Sequence, residues 1–272
     1  MVKKDSNPLV SVIMATFNEP ADIIKQSIES ILTQTYSHLE LLIADDSTHA
    51  DTRAVIDKAA QNDKRVKVIR AKQRMGFVKS LDAALVKAKG QLMARMDGDD
   101  ISMPNRLALQ VAYAQAHPDV DVFGGSMYII NANGDLISER NYPTTPLRLK
   151  LMFIFRSPFA HPTVMFRRRI VDEGFLYNPS YKKAEDIDFF MRLYQHGYKF
   201  SNLTDKLIKY RVMGDLGAKR SRDQWRYNHQ ARKRFIARKP LFSVASYCVS
   251  WTYKHIPSAV FSRYYRKENT KF

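Results

Sequence analysis

Short apolar runs alternate with amphipathic stretches along the first hundred residues. Buried parallel strands are apolar on both faces and rich in β-branched residues, so each run predicts a strand. The four predicted strands are Leu9–Ala15, Leu39–Ala44, Val66–Arg70 and Leu92–Met96. The stretches between them carry apolar residues at helical spacing. They predict helices at Pro20–Thr35, Asp51–Gln61 and Gly76–Lys89.

After residue 100 the order of the elements becomes mixed. A helix is predicted at Pro104–Ala116, and Asn133-Gly134 is a typical turn between two strand-like segments. These segments, Asp121–Ile130 and Leu136–Arg140, predict a hairpin. The other predicted elements are a helix at Ala184–His196, closed by Gly197, and strands at Thr163–Phe166 and Leu207–Val212.

The spacing of the first four strands indicates the fold class. Strands that recur about every 26 to 30 residues are typical of βαβ units. The sequence therefore predicts an α/β fold with a Rossmann-like, mostly parallel central sheet, flanking helices and a C-terminal helical, basic tail. We expect one domain over residues 1–217 and a basic amphipathic segment over residues 218–272.

Charge is distributed unevenly along the chain. The 272 residues include 44 Lys and Arg against 27 Asp and Glu, a formal net charge of +17. Residues 219–272 hold 14 basic and 2 acidic residues, whereas residues 1–218 hold 30 and 25. Clustered bases suit phosphate-rich partners, of which nucleic acid is one class. Most of the chain is nearly balanced, so the location of the charge is more informative than the total.

Cysteine content and hydropathy predict a cytoplasmic protein. The single Cys248 excludes an intramolecular disulfide framework and fits a reducing compartment. The apolar segment Leu9–Phe17 follows Pro8 and lacks a small-residue cleavage site, so we expect no export signal. No run reaches the ~20 apolar residues that a membrane-spanning helix needs.

Three carboxylates follow the fourth predicted strand within four residues. They are Asp97, Asp99 and Asp100. Carboxylates this close repel one another unless a cation or hydrogen-bond donors compensate them. Mg²⁺ and Mn²⁺ meet that need, typically with one or two carboxylates plus phosphate oxygens of a ligand. The alternative is an acidic turn that caps the helix beginning near Pro104.

Two further acidic segments lie where ligands bind in α/β sheets or where helices begin. Asp45-Asp46-Ser47 follows the second strand, where a carboxylate can accept hydrogen bonds from a base N–H or a ribose hydroxyl. The same residue types also form ordinary turns. Glu185-Asp186-x-Asp188 begins a predicted helix, whose dipole favours carboxylates at that end. Both segments are therefore open to a functional or a structural interpretation.

Five motifs in order over about three quarters of the chain carry a family resemblance. They are Pro8–Glu19, Asp45-Asp46-Ser47, Ala94–Asp100, His161–Arg167 and Ala184–Asp188. Together they resemble the bacterial family 2 glycosyltransferases of the GT-A fold. The resemblance implies an inverting, metal-dependent transfer of a sugar from a nucleotide-diphosphate sugar, with a UDP-sugar as the expected donor, to an acceptor hydroxyl. Residues 8–103 would form the nucleotide-binding half and residues 104–217 the acceptor half.

The resemblance also implies roles for individual residues. Asp99 would hold the metal, Mn²⁺ or Mg²⁺, with Asp100 in support. Asp186 would be the general base, with Glu185 beside it. His161 would contact the acceptor or order the loop before Pro162. The residues implied to bind the nucleotide-sugar are Thr16, Asn18, Glu19, Asp46, Lys79, Asp97 and Arg211.

Two departures from the family pattern bear on function. Tyr210-Arg211-Val212 is followed by Met213 where related sequences often have histidine, so a third metal or phosphate contact from that loop is in doubt. Gln224-Trp225 lacks the spacing of the Gln-x-x-Arg-Trp element of processive synthases. We therefore expect the addition of one sugar rather than polymerisation.

Two alternative functions fit parts of the sequence. A sugar nucleotidyltransferase would have a Gly-rich phosphate loop near the N-terminus, and none of the ten glycines forms one. A basic nucleic-acid-binding protein would explain the charge but not the carboxylates at 97, 99 and 100.

The basic segment predicts a membrane partner. Bases are interleaved with aromatic residues over residues 219–239, and residues 241–254 have a wide apolar face with a narrow polar stripe. This combination is typical of an interfacial segment on anionic lipid. It would place the enzyme on the inner face of the cell membrane, acting on a lipid-linked saccharide in cell-surface polysaccharide synthesis such as O-antigen or capsule. The alternative is packing on the catalytic domain or on a second subunit of a homo-oligomer.

Overall fold

The computed structural model describes residues 7–181, 183–213, 222–233, 244–245, 247–249 and 251–252. The strands in these residues are β1 (Val10–Thr16), β2 (Leu39–Asp45), β3 (Val66–Ile69), β4 (Leu92–Asp97), β5 (Ile101–Ser102), β6 (Val122–Ile130), β7 (Leu136–Arg140), β8 (Met165–Arg167) and β9 (Phe200–Arg211). The helices are α1 (Ala21–Leu32), α2 (Ala50–Asn62), α3 (Phe77–Lys87), α4 (Arg106–Ala116), α5 (Pro146–Phe155), α6 (Arg169–Asp172), α7 (Glu185–Gln195) and α8 (Arg222–Lys233), with a 3₁₀ turn at His161–Thr163.

The strands of the described residues form one mixed sheet in the order β3-β2-β1-β4-β8-β6-β9-β5, and β7 pairs with β6. Strands β3, β2, β1 and β4 are parallel, as the βαβ spacing predicts. Strand β8 is antiparallel to both β4 and β6, so it connects the parallel half to the second half of the sheet. The carboxyl ends of β1, β2 and β4 lie side by side at one edge.

The two faces of the parallel strands belong to different hydrophobic layers. In β1, Val12 and Met14 belong to one buried cluster, whereas Ile13 and Ala15 belong to the other. This alternation follows from the two-residue period of a strand. Because helices cover both faces, every residue of β1 and β2 is buried. Both strands are therefore apolar along most of their length.

The sequence predicts the first half of the fold accurately. Each end of β1 to β4 lies within one residue of its predicted position. The hairpin of β6 and β7 is also confirmed, and Gly134 in its turn has a φ of +94°. The predicted strand at Leu207–Val212 is the end of a longer strand, β9, that begins at Phe200.

Helix α5 is an element that the sequence pattern does not indicate. Leucine alternates with basic residues at Leu147, Leu149 and Leu151, which is not a helical period. In the structure Leu149 and Phe153, four residues apart, are buried, whereas Leu147 is 67% exposed. Packing therefore overrides the local pattern here.

No helix in the described ranges combines the length and the hydrophobicity needed to cross a bilayer. The predicted boundary between residues 217 and 218 lies outside the described residues, as does most of the segment predicted to bind a membrane. Helix α8 is the longest described part of that segment, and it packs against α7.

Candidate active site

The acidic loop after β4, residues 97–100, brings three carboxylates together. One oxygen from each of Asp97, Asp99 and Asp100 lies within 4.8 Å of the others. The Asp100 carboxylate is fully buried; its Oδ1 accepts the N–H of Arg211 at 2.8 Å, and its Oδ2 has no hydrogen-bond partner. Burial and the charges of Asp97 and Asp99 raise the pKa of Asp100 well above its usual value.

A hard divalent cation fits this loop. Mg²⁺ and Mn²⁺ bind carboxylate oxygens, and the unpartnered Oδ2 of Asp100 is a buried oxygen that lacks compensation. A bound cation would supply the positive charge that the three carboxylates lack. Asp99 and Asp97 are partly exposed, so they are the more accessible ligands, with Asp100 behind them.

Arg95 lies beneath the acidic loop and is a site residue that none of the predicted roles includes. Its side chain is almost fully buried and forms an ion pair with Asp97 two residues later on β4. The signal in the sequence was an arginine in the middle of an otherwise apolar strand. A charge at such a position is costly unless it is paired. Arg95 therefore provides a fixed positive charge beside the acidic loop.

The loop after β1 is joined to the loop after β2 by side-chain hydrogen bonds. The Thr16 hydroxyl donates to the Glu19 carboxylate, which also accepts the N–H of Phe17 at 2.9 Å. Asn18 has a φ of +60°, and its Oδ1 accepts the N–H groups of Thr48 and His49 at 2.7 and 3.0 Å. These bonds fix the shape of the edge. Contacts of Thr16, Asn18 and Glu19 with a nucleotide stay predictions.

Asp46 anchors the segment that precedes α3. Its carboxylate accepts the N–H groups of Met75 at 3.0 Å and Gly76 at 2.5 Å, and its own N–H donates to the Thr16 carbonyl at 3.0 Å. Lys79 lies exposed in the first turn of α3. These hydrogen bonds neither require nor prevent a contact between a nucleotide and Asp46 or Lys79. Such a contact stays a prediction.

Beside Asp46 the structure reveals an aromatic surface. The Phe17 side chain is 41% exposed, and the guanidinium carbon of Arg74 lies 3.7 Å from the centre of its ring. A large exposed aromatic ring at the end of a buried strand is a suitable surface for a planar ligand. Phe17 lies within the first motif, but no feature of the sequence indicates a role for it. Its exposure could not be read from the sequence.

A cavity of about 490 Å³ joins the acidic loop to the start of α7. This volume lies within the usual range of small-molecule sites. Charged groups converge on it from β4, β7 and α7, and apolar and aromatic groups from β6 and β9. Its polar and ionisable lining includes Arg95, Asp97, Arg140, Tyr142, His161, Lys183, Glu185, Asp186 and Tyr210.

Two adjacent carboxylates, Glu185 and Asp186, enter the cavity from the first turn of α7. The preceding residue, Ala184, has a left-handed φ of +64°, which ends the incoming loop abruptly before the helix. Burial and the charge of Asp186 raise the pKa of Glu185 to about 7. The third acid of this motif, Asp188, pairs with Arg192 at 2.9 Å instead and does not line the cavity.

Burial also raises the pKa of Asp186, against several opposing contacts. The N–H of Ile187, the charge of Arg95 and the hydroxyl of Ser157 all stabilise its ionised form. One half-buried carboxylate with donors around it and another that titrates near neutrality lie side by side. Proton transfer at one of them is therefore compatible with the geometry.

His161 is held by an aromatic partner. A hydrogen bond of 2.7 Å joins its Nε2 to the Tyr177 hydroxyl, and the Tyr177 N–H donates to Asp82 at 2.9 Å. Burial lowers the pKa of His161 well below its usual value, and the charge of Arg95 adds to this. His161 is thus neutral at pH 7 and fixed in place, while it also lines the cavity. A contact with an acceptor stays a prediction.

Arg211 is buried behind the acidic loop. Its guanidinium donates to the Asp99 carbonyl at 3.0 Å, the Ala132 carbonyl at 2.7 Å and the Gln26 side chain at 2.9 Å. The side chain is only 2% exposed. The guanidinium N–H groups already donate to acceptors of the protein. This geometry therefore favours support of the loop over the predicted contact with a nucleotide. Met213, two residues after the end of β9, is 39% exposed.

Comparison with known proteins agrees with the motifs. The profile of the family described as Glycosyl transferase family 2 matches residues 11–175. The putative glycosyltransferase EpsE of Bacillus subtilis is 33% identical over 270 residues, which cover 97% of this chain and 95% of EpsE. The O-antigen biosynthesis glycosyltransferase WbnJ of Escherichia coli is 33% identical over 210 residues, or 75% of this chain and 80% of WbnJ.

Solved structures show the same fold. A crystal structure of S. aureus TarS 1-349 in complex with UDP-GlcNAc matches with a TM-score of 0.67 at 22% identity, over 87% of this chain and 69% of that one. A longer TarS chain is covered over 41% of its length. The mannosyltransferase PcManGT from Pyrobaculum calidifontis, in complex with GDP-Man and Mn²⁺, matches with a TM-score of 0.66 at 17% identity. The match covers 96% of this chain and 73% of PcManGT. The predicted GT-A fold is confirmed, and no comparison supports a nucleotidyltransferase or a nucleic-acid-binding protein.

Proposed function

This chain belongs to glycosyl transferase family 2, and from this premise we propose that it is an inverting enzyme that transfers one sugar from a UDP-sugar to an acceptor hydroxyl. One observation carries the proposal: a single cavity holds Asp97 of the acidic loop and the Glu185–Asp186 pair. Transfer at an anomeric carbon needs charge compensation on the leaving diphosphate and removal of the acceptor proton. The cavity provides a different group for each task.

We propose that Asp99 and Asp97 hold Mn²⁺ or Mg²⁺, with Asp100 as the buried support of the loop. The cation would act as a Lewis acid towards the diphosphate of the donor. The Mn²⁺ in the structure of PcManGT supports this choice. Arg95 forms an ion pair with the Asp97 carboxylate, and this pair would hold one ligand in place for the cation.

Asp186 would act as the base. Its carboxylate removes the proton from the acceptor hydroxyl while the oxygen bonds to the anomeric carbon and the bond to the diphosphate breaks. The products are a glycoside of inverted configuration and a nucleoside diphosphate, with the proton on Asp186. Glu185, whose pKa is about 7, remains partly protonated near neutral pH and limits the repulsion between the two carboxylates.

The nucleotide would bind at the edge formed by the loops after β1 and β2. The Phe17 ring has Arg74 against it and is 41% exposed, and the residue before it, Thr16, accepts the N–H of Asp46 through its carbonyl. A base can stack on the ring while polar groups of the loops face its edge and the ribose. Lys79 is exposed in the first turn of α3, which begins after Gly76, a residue bonded to Asp46. The UDP-GlcNAc bound to TarS supports a UDP-sugar as the first donor to test.

A lipid-linked saccharide is the proposed acceptor, used in cell-surface polysaccharide synthesis. The role of WbnJ in O-antigen biosynthesis supports this class. We further propose peripheral attachment to the inner face of the cell membrane through residues 219–272, most of which lie outside the described residues. Full-length protein should sediment with anionic vesicles and dissociate as salt increases, because screening weakens contacts between bases and lipid. Sedimentation that is equal with zwitterionic vesicles would contradict the electrostatic part of the proposal.

A donor screen tests the function directly. The full-length protein is incubated with Mn²⁺ and UDP-, GDP- or dTDP-sugars, with and without a lipid-linked saccharide, and the released nucleoside diphosphate is measured. We expect release from a UDP-sugar that increases with the acceptor and stops on chelation of the metal. Asp172→Asn, at an exposed position on α6, is a matched control that should retain full activity. Release from none of the donors with any acceptor would overturn the proposal.

A further inference from the structure

Helix α5 exposes leucines on the side that faces away from the domain. Leu149 and Phe153 of this helix are buried in a hydrophobic cluster, whereas Leu147 and Leu151 are 67% and 49% exposed. Successive residues are about 100° apart around a helix, so Leu147 and Leu151 lie on one face, roughly opposite the buried pair. The helix therefore has one apolar side in the core and a second apolar side in contact with solvent.

Basic side chains flank the exposed leucines. Arg148 and Lys150 are both exposed, and each lies about 60° around the helix from a leucine, on opposite sides of the pair. The sequence has no Asp or Glu between residues 140 and 171. We call Leu147, Arg148, Lys150 and Leu151 the outer face of α5. Its apolar centre and basic flanks are the pattern of a helix that lies in the surface of an anionic membrane.

Both ends of α5 lead to the cavity of the candidate active site. Tyr142, four residues before the helix begins at Pro146, lines that cavity, and so does Phe159, four residues after the helix ends at Phe155. A segment of four residues spans at most about 14 Å. A surface that binds α5 therefore keeps the cavity within a short distance of it.

The basic C-terminal segment contacts α5 through helix α8. Nη2 of Arg232 in α8 donates a long hydrogen bond of 3.4 Å to the carbonyl of Phe153. Ala231 is completely buried in the same hydrophobic cluster as Leu149 and Phe153. The segment proposed to attach the protein to a membrane and the outer face of α5 therefore belong to neighbouring helices.

The chemistry of the outer face favours an anionic membrane over other partners. A second copy of the chain, docked through a twofold axis, would bring the bases of this face against the same bases. A nucleic acid would pair with the bases but leave the leucines without an apolar partner. Asp119, which lines a cavity together with Lys150, is paired with Lys199 at 3.1 Å and adds no net negative charge. An anionic bilayer suits both groups, since its acyl chains accept leucines and its phosphates attract bases.

We propose that the outer face of α5 binds the surface of an anionic bilayer, with Leu147 and Leu151 among the acyl chains and Arg148 and Lys150 at the lipid phosphates. This inference deepens the proposed function and rests on it, because it extends membrane attachment from the basic segment to the catalytic domain. It places the cavity close to the bilayer surface, where a lipid-linked acceptor presents its saccharide.

Vesicle binding by the full-length protein tests this surface. The vesicles contain phosphatidylglycerol and phosphatidylcholine, and phosphatidylcholine alone is the comparison. Loss of both leucines, in Leu147→Gln/Leu151→Gln, should weaken binding by about tenfold or more because less apolar area leaves water. Arg148→Gln/Lys150→Gln should weaken it by about tenfold at low salt and by less at high salt. Both variants should bind UDP with Mn²⁺ as the wild type does, because no residue of the outer face lines the cavity.

A fluorescent reporter locates the contact. In a Cys248→Ser background, Leu151→Cys carries an environment-sensitive dye, whose emission should shift to the blue on anionic vesicles. Leu136 is the matched control position, since it is 65% exposed and pairs with Ile130 at the last residue of β6. Helix α5 contacts the start of β9, which pairs with the first residue of β6. The dye on Leu136→Cys should therefore not shift, and Leu136→Gln should bind vesicles like the wild type.

A dye on Leu151→Cys that does not shift while the protein binds the vesicles would overturn the proposal, because the basic segment then attaches the protein alone. An equal shift with soluble polyglutamate would also overturn it and indicate an acidic protein surface instead. Absence of binding to either kind of vesicle would refute both membrane proposals. Where a glutamine variant does not fold, the dye decides. None of these readouts uses sugar transfer, so failure of the proposed activity and failure of this proposal are distinguished.

Discussion

The N–H of Arg211 donates a hydrogen bond of 2.8 Å to the Asp100 carboxylate, across 111 residues of sequence. The guanidinium of Arg211 also donates to the carbonyl of Asp99 at 3.0 Å. The end of β9 thus holds the acidic loop at two points. A loop with three carboxylates would otherwise spread under its own repulsion.

Replacement of Arg211 should therefore weaken both the fold and the metal site. Arg211→Met removes the donors to the Asp99 and Ala132 carbonyls and to Gln26, and buried acceptors without donors are costly. We expect the free energy of unfolding to fall by about 3 kcal/mol, measured by denaturant titration, and Mn²⁺ affinity to decrease at least severalfold. Arg53→Met, exposed on α2, should do neither. Unchanged metal affinity would show that Arg211 does not organise the loop.

Removal of Asp99 should abolish metal-dependent nucleotide binding. In Asp99→Ala the acidic loop loses a partly exposed carboxylate, whereas Asp100 keeps its bond to Arg211. Calorimetry of UDP binding with and without Mn²⁺ measures the effect. Asp119→Ala, at an exposed site before β6, serves as the control for loss of one negative charge. The metal assignment fails if Asp99→Ala binds UDP with the wild-type dependence on Mn²⁺.

Replacement of Asp186 should separate binding from chemistry. The amide of Asp186→Asn fills the same space but cannot take the acceptor proton. We expect the KM for the donor to remain near wild type and kcat to fall by about 10² to 10⁴, the usual contribution of a positioned base. Single-turnover measurements with saturating donor and Mn²⁺ test this. Turnover equal to wild type would rule out Asp186 as the base.

The pKa of Glu185 predicts how stability changes with pH. Burial raises this pKa from 4.5 to about 7, so the folded protein binds the proton more tightly than the unfolded chain does. The resulting stabilisation is complete below pH 4.5 and is lost as pH rises through about 7. Between pH 5 and 8 the wild type should therefore lose on the order of 2 kcal/mol relative to Glu185→Gln. Urea unfolding at several pH values measures the difference, and parallel curves for the two proteins would contradict it.

Phe17 should contribute to nucleotide affinity through stacking. Phe17→Ala removes the ring beneath Arg74, and stacking of a base on an aromatic side chain is typically worth about 1 to 3 kcal/mol. We expect UDP to bind roughly tenfold more weakly, with little change in kcat at saturating donor. Phe17→Trp should restore binding. Equal affinity of Phe17→Ala and wild type in the same titration would exclude a stacking role.

The sequence predicts the parallel half of the fold because each of its strands is a local signal. Val10–Thr16 and Leu39–Asp45 are buried on both faces, so most of their residues must be apolar. The acidic loop could be located for a similar reason, since its residues are adjacent in the chain. Asp97 and Asp186, by contrast, share a cavity only because β4 and α7 are brought together by the whole sheet.

The roles that could not be predicted depend on contacts distant in sequence. Its neighbours in the sequence would equally allow Arg211 to be an exposed strand residue. Its buried position depends on hydrogen bonds to Asp99, Ala132 and Gln26. Tyr177 holds His161 through a bond that no spacing rule indicates. Arg232 lies in a segment whose composition predicts contact with a membrane surface, yet it is buried in α8, which packs on α7.

The alternation of side chains at the end of β9 limits which insertions and deletions the protein can tolerate. Tyr210 lines the cavity, while its neighbour Arg211 lies on the other side, beneath the acidic loop. Successive side chains of a strand point to opposite faces. Loss or gain of one codon shortly before Tyr210 would therefore exchange the two, placing a phenol under the carboxylates and a cation in the cleft. Changes of two codons would preserve the faces, so one-residue insertions and deletions here should be strongly counter-selected.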